Sequence, residues 1–217
     1  MATVESTPRR GRPARFSRDQ IVEAVTEMLL ADPSAPLTVA RAAEAVGAKP
    51  MSLYRHFSDR DDLVAAVARN FFSSARPAVG DGASWQTEVR AWMTAMYGQA
   101  RRVPQIVQLL ATGESAEWLD DSAHLAGIFE RSGVGDDRVV AQAVYLVATA
   151  TMGHAMIHAA GRDHLRRDRL RAALARLDGD DAARMARLIP HLEGVSEKGF
   201  ELVVEQTIAG LEKLLAR

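Results

Sequence analysis

The sequence predicts an all-α fold divided into two helical domains. Apolar residues recur at helical spacing along most of the chain, and no alternating Val, Ile and Thr runs between hairpin turns are present. A stretch rich in small and helix-breaking residues at 76–83 separates the two parts. With 217 residues, 47% of them hydrophobic, the chain can bury a sizeable core. We predict a flexible basic arm at 1–16, a first helical domain at 17–74 and a second, larger helical domain at 84–217.

The first helix is predicted from a capping pattern. Ser17 and Gln20 have the spacing of a capping box, in which side chain and backbone satisfy each other's free N–H groups. Ile21, Val25 and Leu29 then follow on one helical face to about Ala31. The Pro-containing segment 32–36 ends this helix.

A pair of short helices folded about Gly47 comes next. Thr38 is placed to cap the first of them, and Gly47 can adopt the left-handed backbone that ends a helix. Pro50 suits the first turn of the second helix, whose buried side is formed by Leu53 and Phe57 at i,i+4. The outward face then carries Lys49, Met51, Ser52 and Arg55. This arrangement predicts a helix-turn-helix that enters the major groove of DNA.

The residues around this second helix resemble one family. The string 53–57 (Leu-Tyr-Arg-His-Phe), followed by Ser58, Arg60 and Leu63 and preceded by Leu37, Thr38 and Ala43, is similar to the DNA-binding end of the tetracycline-repressor (TetR) family. The resemblance covers roughly residues 17–67. It implies an all-helical dimer with a three-helix N-terminal DNA-binding domain and a larger helical domain that carries the dimer interface and usually a small-molecule pocket.

The resemblance also implies roles for single residues. Base edges are expected to meet Lys49, Pro50, Met51 and Ser52, and phosphates are expected to meet Tyr54, His56 and Arg60, with Thr38 in the same DNA-binding set. Met51 has no strong hydrogen-bonding group, which departs from the usual pattern and leaves the preferred bases open.

Basic residues are concentrated before the first helix although the whole chain has a net charge of −1. They are Arg9, Arg10, Arg12, Arg15 and Arg18. The string 10–13 (Arg-Gly-Arg-Pro) matches the core of an AT-hook, so Arg10 and Arg12 are candidate minor-groove residues. A solvated, disordered tail is an equally good interpretation of this four-residue match.

Capping residues and breaks predict the later helices. Ser58 is expected to cap a fourth helix, and Ser84 a helix that runs to about Arg102. Further helices are predicted at 104–112, 116–131, 136–160, 165–177, 181–192 and 196–215. The 136–160 helix and the terminal helix have apolar faces broader than one packing partner requires, which predicts a homodimer interface, with an intramolecular core as the alternative.

A group of aromatic, Met and polar residues in the second domain is the candidate effector pocket. Such side chains line adaptable apolar sites and also fill ordinary cores. The candidate ligand-binding residues are Trp92, Met96, Gln108, Trp118, Tyr145, Thr149, Met152, His154 and His158. We expect a largely apolar ligand with one or two polar groups.

Other functional classes have little support in the sequence. The chain has no Cys, no nucleophile elbow and no phosphate-binding Gly loop, so we expect neither catalysis nor a cofactor. His154 and His158 have the i,i+4 spacing of helix-borne zinc ligands, but no third ligand can be assigned, and we expect no metal site. No signal peptide or membrane anchor is predicted, which leaves the cytoplasm as the default location.

Together these features predict a cytoplasmic, ligand-responsive transcriptional repressor. It is expected to bind a palindromic double-stranded DNA operator as a homodimer and to be released by an unidentified small, largely apolar effector. A helix-turn-helix regulator without an effector, or an activator, is the alternative, and an all-helical metal-dependent protein is a distant one.

Overall fold

The computed structural model describes residues 16–78, 80, 82–107, 118–159 and 167–216. Every regular element within these ranges is helical, as the sequence predicts. A short helical segment at 104–107 follows the fifth helix. The longer elements are α1 (Arg18–Ala31), α2 (Val39–Ala45), α3 (Pro50–Leu53), α4 (Arg60–Ser73), α5 (Trp85–Arg102), α6 (Trp118–Arg131), α7 (Asp137–Ala159), α8 (Arg167–Leu174) and α9 (Gly179–Leu215).

The predicted caps of the first two helices are confirmed. The Gln20 N–H donates to the Ser17 hydroxyl at 3.1 Å, and the Ser17 N–H donates to Gln20 Oε1 at 2.9 Å. The Arg41 N–H donates to the Thr38 hydroxyl at 3.2 Å. Each cap satisfies helix-end N–H groups that have no partner within the helix, so both helix starts are fixed locally.

The cap of α4 differs from the prediction by one residue. Asp59, not Ser58, is the N-cap, and its carboxylate accepts the Asp62 N–H at 2.8 Å. The Ser58 hydroxyl instead donates to the Asp59 carboxylate at 3.2 Å. A carboxylate is the stronger acceptor at a helix N-terminus because it also interacts favourably with the helix dipole.

The helices share one continuous hydrophobic core. At the N-terminal end α1 packs with α4 and with α2, and α2 packs with α3, while α5, α6, α7 and α9 form the body. Buried side chains run without interruption from Ile21 in α1 through Phe71 in α4 to Leu211 in α9. α4 thus contributes side chains to both ends of this core.

The C-terminal region corrects the predicted helix boundaries. The sequence predicts separate helices at 181–192 and 196–215, but α9 is one helix of 37 residues that contains Pro190. A proline inside a helix costs about 3 kcal/mol because it removes a hydrogen bond. Cooperative helix growth from the buried Val204, Ile208 and Leu211 offsets this cost and carries the helix through residue 194.

α7 is the one helix in the described ranges that is long and apolar enough to cross a membrane. The stretch Asp137–Ile157 has a mean hydropathy of 1.3, and 33% of it is buried in the protein. Apolar core helices of soluble proteins pass the same test, so this observation is weak evidence for a membrane span. It also differs from a fully buried helix, because Tyr145, Leu146 and Ile157 remain exposed.

We predict that Gly47→Ala destabilises the protein by about 1–2 kcal/mol, because Gly47 has φ +62° and a side chain is strained there. Gly98→Ala is the matched control, since Gly98 lies inside α5 and a Cβ there meets nothing within 4 Å. This control should stabilise by roughly 0.5–1 kcal/mol. Urea unfolding of both variants measures the difference, and equal effects would contradict the assignment of the turn.

Candidate functional site

The outer face of α3 is the first candidate site. Leu53 is 2% exposed and Phe57 is 3% exposed, so these two side chains anchor the segment in the core. On the opposite side, Met51 is 75% exposed and Tyr54 is 49% exposed. The segment is therefore held by its apolar side and presents the other side to solvent.

The predicted base-reading residues lie together at the start of α3. Lys49 is the N-cap residue and is exposed, and Pro50 is the first residue of the helix. The half-buried Ser52 donates its hydroxyl hydrogen to the Lys49 carbonyl at 2.6 Å. The Ser52 oxygen thus remains available as an acceptor only. Thr38 is exposed as well, with its hydroxyl oxygen engaged in the cap of α2.

Arg18 braces the end of this segment, a role that the sequence analysis missed by grouping it with the basic arm. Its guanidinium donates to the His56 carbonyl, pairs with Asp62 at 2.5 Å and lies 4.4 Å from the centre of the Phe57 ring. These contacts join α1, the turn after α3 and the first turn of α4. No short-range pattern identifies the partners, since Arg18 and Asp62 are 44 positions apart.

The brace also alters the acidity of Asp62. The hydrogen bond from Arg18 is the main cause that holds the pKa of the Asp62 carboxyl below its usual 3.8, against a smaller opposing effect of burial. The Ser58 N–H adds a further bond to this carboxylate at 2.9 Å. Asp62 therefore stays ionised in the folded protein at neutral pH.

The predicted phosphate-binding residues surround the same surface. Tyr54 is exposed, His56 is half-buried, and Arg60 is exposed at the first position of α4, 3.4 Å from Asp61. Arg10 and Arg12 lie outside the described residues.

A cavity of about 480 Å³ between α4, α5, α6 and α7 is the second candidate site. Five of the predicted ligand-binding residues line it: Trp92, Met96, Tyr145, Thr149 and Met152. Most of the other lining side chains are apolar, among them Phe72, Val107 and Leu125. A cavity of this size and polarity is typical of sites for small organic molecules.

The predicted His154 does not line this cavity. Its ring packs at 5.3 Å from Tyr97 and 5.4 Å from Phe200, measured between ring centres, so it belongs to the contact between α5, α7 and α9. Gln108 and the side chains of Trp118 and His158 lie outside the described residues. Within the described ranges, no three His, Asp or Glu side chains are grouped to hold a metal ion.

Two ion pairs at the cavity wall were not anticipated from the sequence. Arg69 lies 3.5 Å from Asp120, and Arg76 lies 2.9 Å from Asp121. Both pairs join the end of α4 or the residues after it to the start of α6. Nearby, burial lowers the pKa of His124, and the positive charges of Arg76 and Arg131 lower it further.

Two glutamines connect the body to the N-terminal helices. Gln99 in α5 donates to the Phe71 carbonyl of α4 at 2.7 Å. Gln105 donates to the Pro33 carbonyl at 3.0 Å and to the Ala35 carbonyl at 2.5 Å, which are in the loop between α1 and α2. Gln105 lies two positions before the cavity-lining Val107, so the segment that reaches the cavity wall is also hydrogen-bonded to the loop between α1 and α2.

Curated proteins give only partial sequence matches, whereas no family model matches the chain. The nucleoid occlusion factor SlmA of Alteromonas mediterranea is 28% identical over 120 residues, which are 52% of this chain and 61% of SlmA. An HTH-type transcriptional regulator of Saccharopolyspora erythraea is 31% identical over 81 residues, which are 37% of this chain and 34% of the regulator. The matched region is thus less than two thirds of either relative.

Solved structures match almost the whole chain. Apo ActR of Streptomyces coelicolor has a TM-score of 0.75 at 20% identity, covering 94% of this chain and 99% of ActR. A possible TetR family transcriptional regulator from Streptomyces coelicolor has a TM-score of 0.72 at 24% identity, covering 91% and 100%. The chain has the TetR-family fold.

Two further solved structures with this fold contain bound partners. ActR in complex with actinorhodin has a TM-score of 0.71 at 21% identity, covering 91% of this chain and 96% of ActR. BioQ with its double-stranded DNA operator has a TM-score of 0.59 at 20% identity, covering 90% and 99%. The TetR-family fold thus accommodates both a small molecule and duplex DNA in proteins similar to this chain.

We predict that Asp62→Asn destabilises the protein by on the order of 1 kcal/mol at pH 7, because both partners of the brace are partly exposed. The folded state lowers the pKa of Asp62, so its stabilisation is present above the unfolded value of 3.8 and is lost as pH falls through the folded value. The difference from the native protein should therefore shrink on acidification below about pH 4.

Urea unfolding between pH 3 and pH 7 tests this prediction. Asp61→Asn is the matched control, because the adjacent Asp61 side chain is 79% exposed and makes only a 3.4 Å contact with Arg60. A difference between native and Asp62→Asn proteins that stays constant across the pH range would contradict the assigned brace.

Proposed function

We propose that the chain is a ligand-responsive transcriptional regulator that binds operator DNA through the outer face of α3. The observation that carries this proposal is the opposite exposure of Leu53 and Phe57 on one side and of Met51 and Tyr54 on the other. A helix fixed in this way can enter a major groove without exposing the core. The solved complex of BioQ with its operator, which has the same fold, supports the proposal.

Residue roles follow from position on this face. Lys49 and Ser52 read base edges, Pro50 and Met51 make apolar contacts such as those with thymine methyl groups, and Thr38 lies at the edge of the surface. Tyr54, His56 and Arg60 hold phosphates. Arg10 and Arg12 of the arm add contacts in the minor groove.

Effector binding is assigned to the cavity between α4 and α7. Its volume of about 480 Å³ and its apolar lining suit a small organic molecule. The actinorhodin complex of ActR, a protein with the same fold, supports this assignment. A ligand that binds more tightly to one position of α4 than to another shifts the protein toward that position. The resulting change in DNA affinity is limited by the difference between the two ligand affinities.

A homodimer is proposed because apolar side chains remain exposed on two neighbouring helices of the body. Leu146 and Ile157 of α7 are 39% and 50% exposed, and Leu202 of α9 is 50% exposed. Pairing of α7 and α9 with those of a second copy would cover them and place two copies of α3 on successive major grooves. The arm at 1–16, the DNA-binding domain at 17–74 and the regulatory domain at 84–217 remain our proposed division.

Repression follows if the operator overlaps a promoter, because a bound dimer then excludes polymerase. The protein acts in the cytoplasm, where its operator DNA lies. It acts by binding and does not catalyse a reaction. An activator, or a regulator without an effector, would use the same α3 surface and is the second candidate.

Selection of bound sequences from random DNA duplexes tests the function as a whole. Recovery of a palindrome would support both DNA reading and two-fold symmetry, and its half-site spacing would give the separation of the two α3 helices. Recovery of no enriched sequence, together with binding that does not depend on salt, would reject the proposal.

We predict that Lys49→Ala weakens operator binding by about 1–3 kcal/mol and weakens non-specific binding much less, because Lys49 reads a base edge. Tyr54→Phe removes one phosphate contact and should weaken both kinds of binding similarly. Gel-shift titrations at fixed salt with operator and scrambled duplexes measure both effects. Arg138→Ala, which removes an exposed charge in the body, is the control.

We predict that Ile157→Glu converts the dimer to a monomer, because a carboxylate cannot be buried unpaired in an apolar interface. Sedimentation equilibrium measures the mass. Leu119→Glu is the matched control, since Leu119 is 53% exposed on α6 and lies outside the proposed interface. A native protein that sediments as a monomer, or a variant that stays dimeric, would contradict this interface.

A further inference from the structure

One rim of the cavity is charged and partly exposed. Arg69 and Arg76, in α4 and just after it, pair with Asp120 and Asp121 at the start of α6, and all four residues line the cavity. Their side chains are between 24% and 59% exposed. Charged side chains are normally found where the surface stays in contact with water. The rim between α4 and α6 is therefore the side on which the cavity faces solvent.

A second rim, formed by α7, is exposed although it carries no charge. Tyr145 and Met156 line the cavity, yet they are 73% and 42% exposed. Thr149 lies between them, lines the cavity and is also exposed. The sequence from 139 to 159 contains no Asp, Glu, Lys or Arg. A contiguous exposed apolar surface of this kind marks a place that a binding partner covers.

This second rim continues into the surface that we assign to the dimer interface. Successive residues of an α-helix differ by about 100° around the helix axis, so Tyr145, Thr149 and Met156 form one row along α7. The exposed Leu146 and Ile157 form a neighbouring row, about a quarter of a turn away around the helix. A helix that packs on this face with interdigitated side chains would contact both rows. The surface proposed for dimerisation and the rim of the cavity are thus continuous.

A second copy of the chain is the partner that this surface fits. The exposed apolar side chains form two pairs, Tyr145 with Leu146 and Met156 with Ile157, about three helical turns apart. In a two-fold symmetric interface the same patch meets itself. An antiparallel pair of α7 helices would therefore place each of these two pairs against the other pair of the second copy. Such an interface covers both ends of the exposed strip with apolar surface.

We propose that the second subunit of the homodimer closes the α7 rim, so that the effector site is completed at the subunit interface and effector binding is coupled to dimerisation. The inference rests on the proposed homodimer and effector function. In a single chain, a ligand in the cavity stays in contact with water beside Tyr145 and Met156. In the dimer it enters between α4 and α6 and is enclosed on the α7 side. Because such coupling is reciprocal, a ligand that binds the dimer more tightly also strengthens dimerisation.

Thiol reactivity tests whether the α7 rim is covered. The sequence contains no Cys, so Tyr145→Cys introduces a single thiol that fluorescein maleimide, a bulky reagent, can label. Leu119→Cys is the matched control, because Leu119 is 53% exposed on α6 and lies outside the proposed interface. Dividing each labelling rate by the rate of the same variant in urea removes differences in intrinsic reactivity.

The exposures in a single chain and in the dimer give opposite expectations for this experiment. Because Tyr145 is more exposed than Leu119 in the single chain, an uncovered rim should let position 145 react at least as fast as position 119. A covered rim should make position 145 react at least tenfold more slowly than position 119. Similar normalised rates at the two positions, in protein that sediments as a dimer, would overturn the proposal.

A fluorescent probe tests whether the covered rim completes the binding site. N-phenyl-1-naphthylamine is uncharged and fluoresces in apolar sites. Leu202→Glu is the dissociating variant, because Leu202 is 50% exposed on α9 and is not among the residues that line the cavity. The monomer should bind the probe at least tenfold more weakly than the native dimer. Leu119→Glu should remain dimeric and keep the native affinity, and equal affinities of monomer and dimer would reject an inter-subunit site.

A reciprocal measurement on the native protein covers the case in which Leu202→Glu does not fold. Sedimentation of fluorescently labelled native protein at low concentration gives the dimer dissociation constant with and without saturating probe. The probe should lower this constant at least tenfold. An unchanged constant or no binding of the probe to the dimer would overturn the proposal. A native protein that is monomeric and binds phosphatidylcholine vesicles would do so as well, and would assign the exposed strip of α7 to lipid.

Operator selection separates this proposal from the proposed function. If a palindrome is recovered but position 145 reacts freely in the dimer, the DNA-binding function stands and the inter-subunit site fails. If the rim is covered and the probe strengthens dimerisation but no sequence is enriched, the inter-subunit site stands and the DNA-binding function fails.

Discussion

The short length of α3 is the constraint on which the rest of the structure depends. Four helical residues, Pro50–Leu53, cannot form a stable helix in isolation, because helix nucleation is unfavourable until several turns have formed. The position and orientation of α3 are consequently set by tertiary contacts. Leu53 and Phe57 supply the apolar anchors, and the guanidinium of Arg18 fixes the following turn to α1 and α4. The orientation of the α3 surface is therefore set by α2, with which α3 packs, and by the contacts of Arg18 to the following turn and to α4.

That dependence makes α4 the physical connection between the two candidate sites. Its first turn receives the brace from Arg18 through Asp62, while its last turns contribute Ala68, Arg69 and Phe72 to the cavity. Protein cores are close-packed, so a displacement at one end of such a helix is transmitted and not absorbed locally. The hydrogen bonds of Gln99 and Gln105 to the α4 and α1–α2 backbone add a second connection. The cavity and the α3 surface are thus connected through α4 and through the hydrogen bonds of Gln99 and Gln105.

The sequence allowed prediction of those features that local chemistry determines. Ser17, Thr38 and Gly47 were identifiable because capping and left-handed backbone depend on neighbours within a few residues. The anchors Leu53 and Phe57 were identifiable from spacing alone. In contrast, the brace of Arg18 and the ion pairs of Arg69 and Arg76 join residues that are distant in sequence, so no local pattern reports them.

The incorrect predictions have the same origin. Glu193-Gly194-Val195 reads as a break, yet tertiary anchoring of α9 overrides the weak local preference. His154 shares a helical face with His158 in the sequence pattern, but its ring is placed by Tyr97 and Phe200 of two other helices. Five of the cavity residues could be predicted because aromatic and Met side chains are concentrated in α5 and α7. Whether one of these side chains faces the cavity depends on the rotation of its helix about the helix axis. The spacing of apolar residues fixes this rotation only to within a residue or two.

The strengths of the contacts across the cavity suggest how a ligand could act on α4. Exposed ion pairs such as Arg69 with Asp120 contribute on the order of 0–1 kcal/mol each, so they can be rearranged at small cost. A ligand can shift the position of α4 only by its differential affinity for the two arrangements, and about 1.4 kcal/mol of difference changes an equilibrium tenfold. Weak pairs at the wall and a strong apolar core below it therefore allow a modest ligand contribution to move α4 without unfolding the domain. The same mechanism requires that the packing of Leu53 and Phe57 hold α3 more strongly than the ion pairs hold the cavity wall. Both side chains are buried, which meets that requirement.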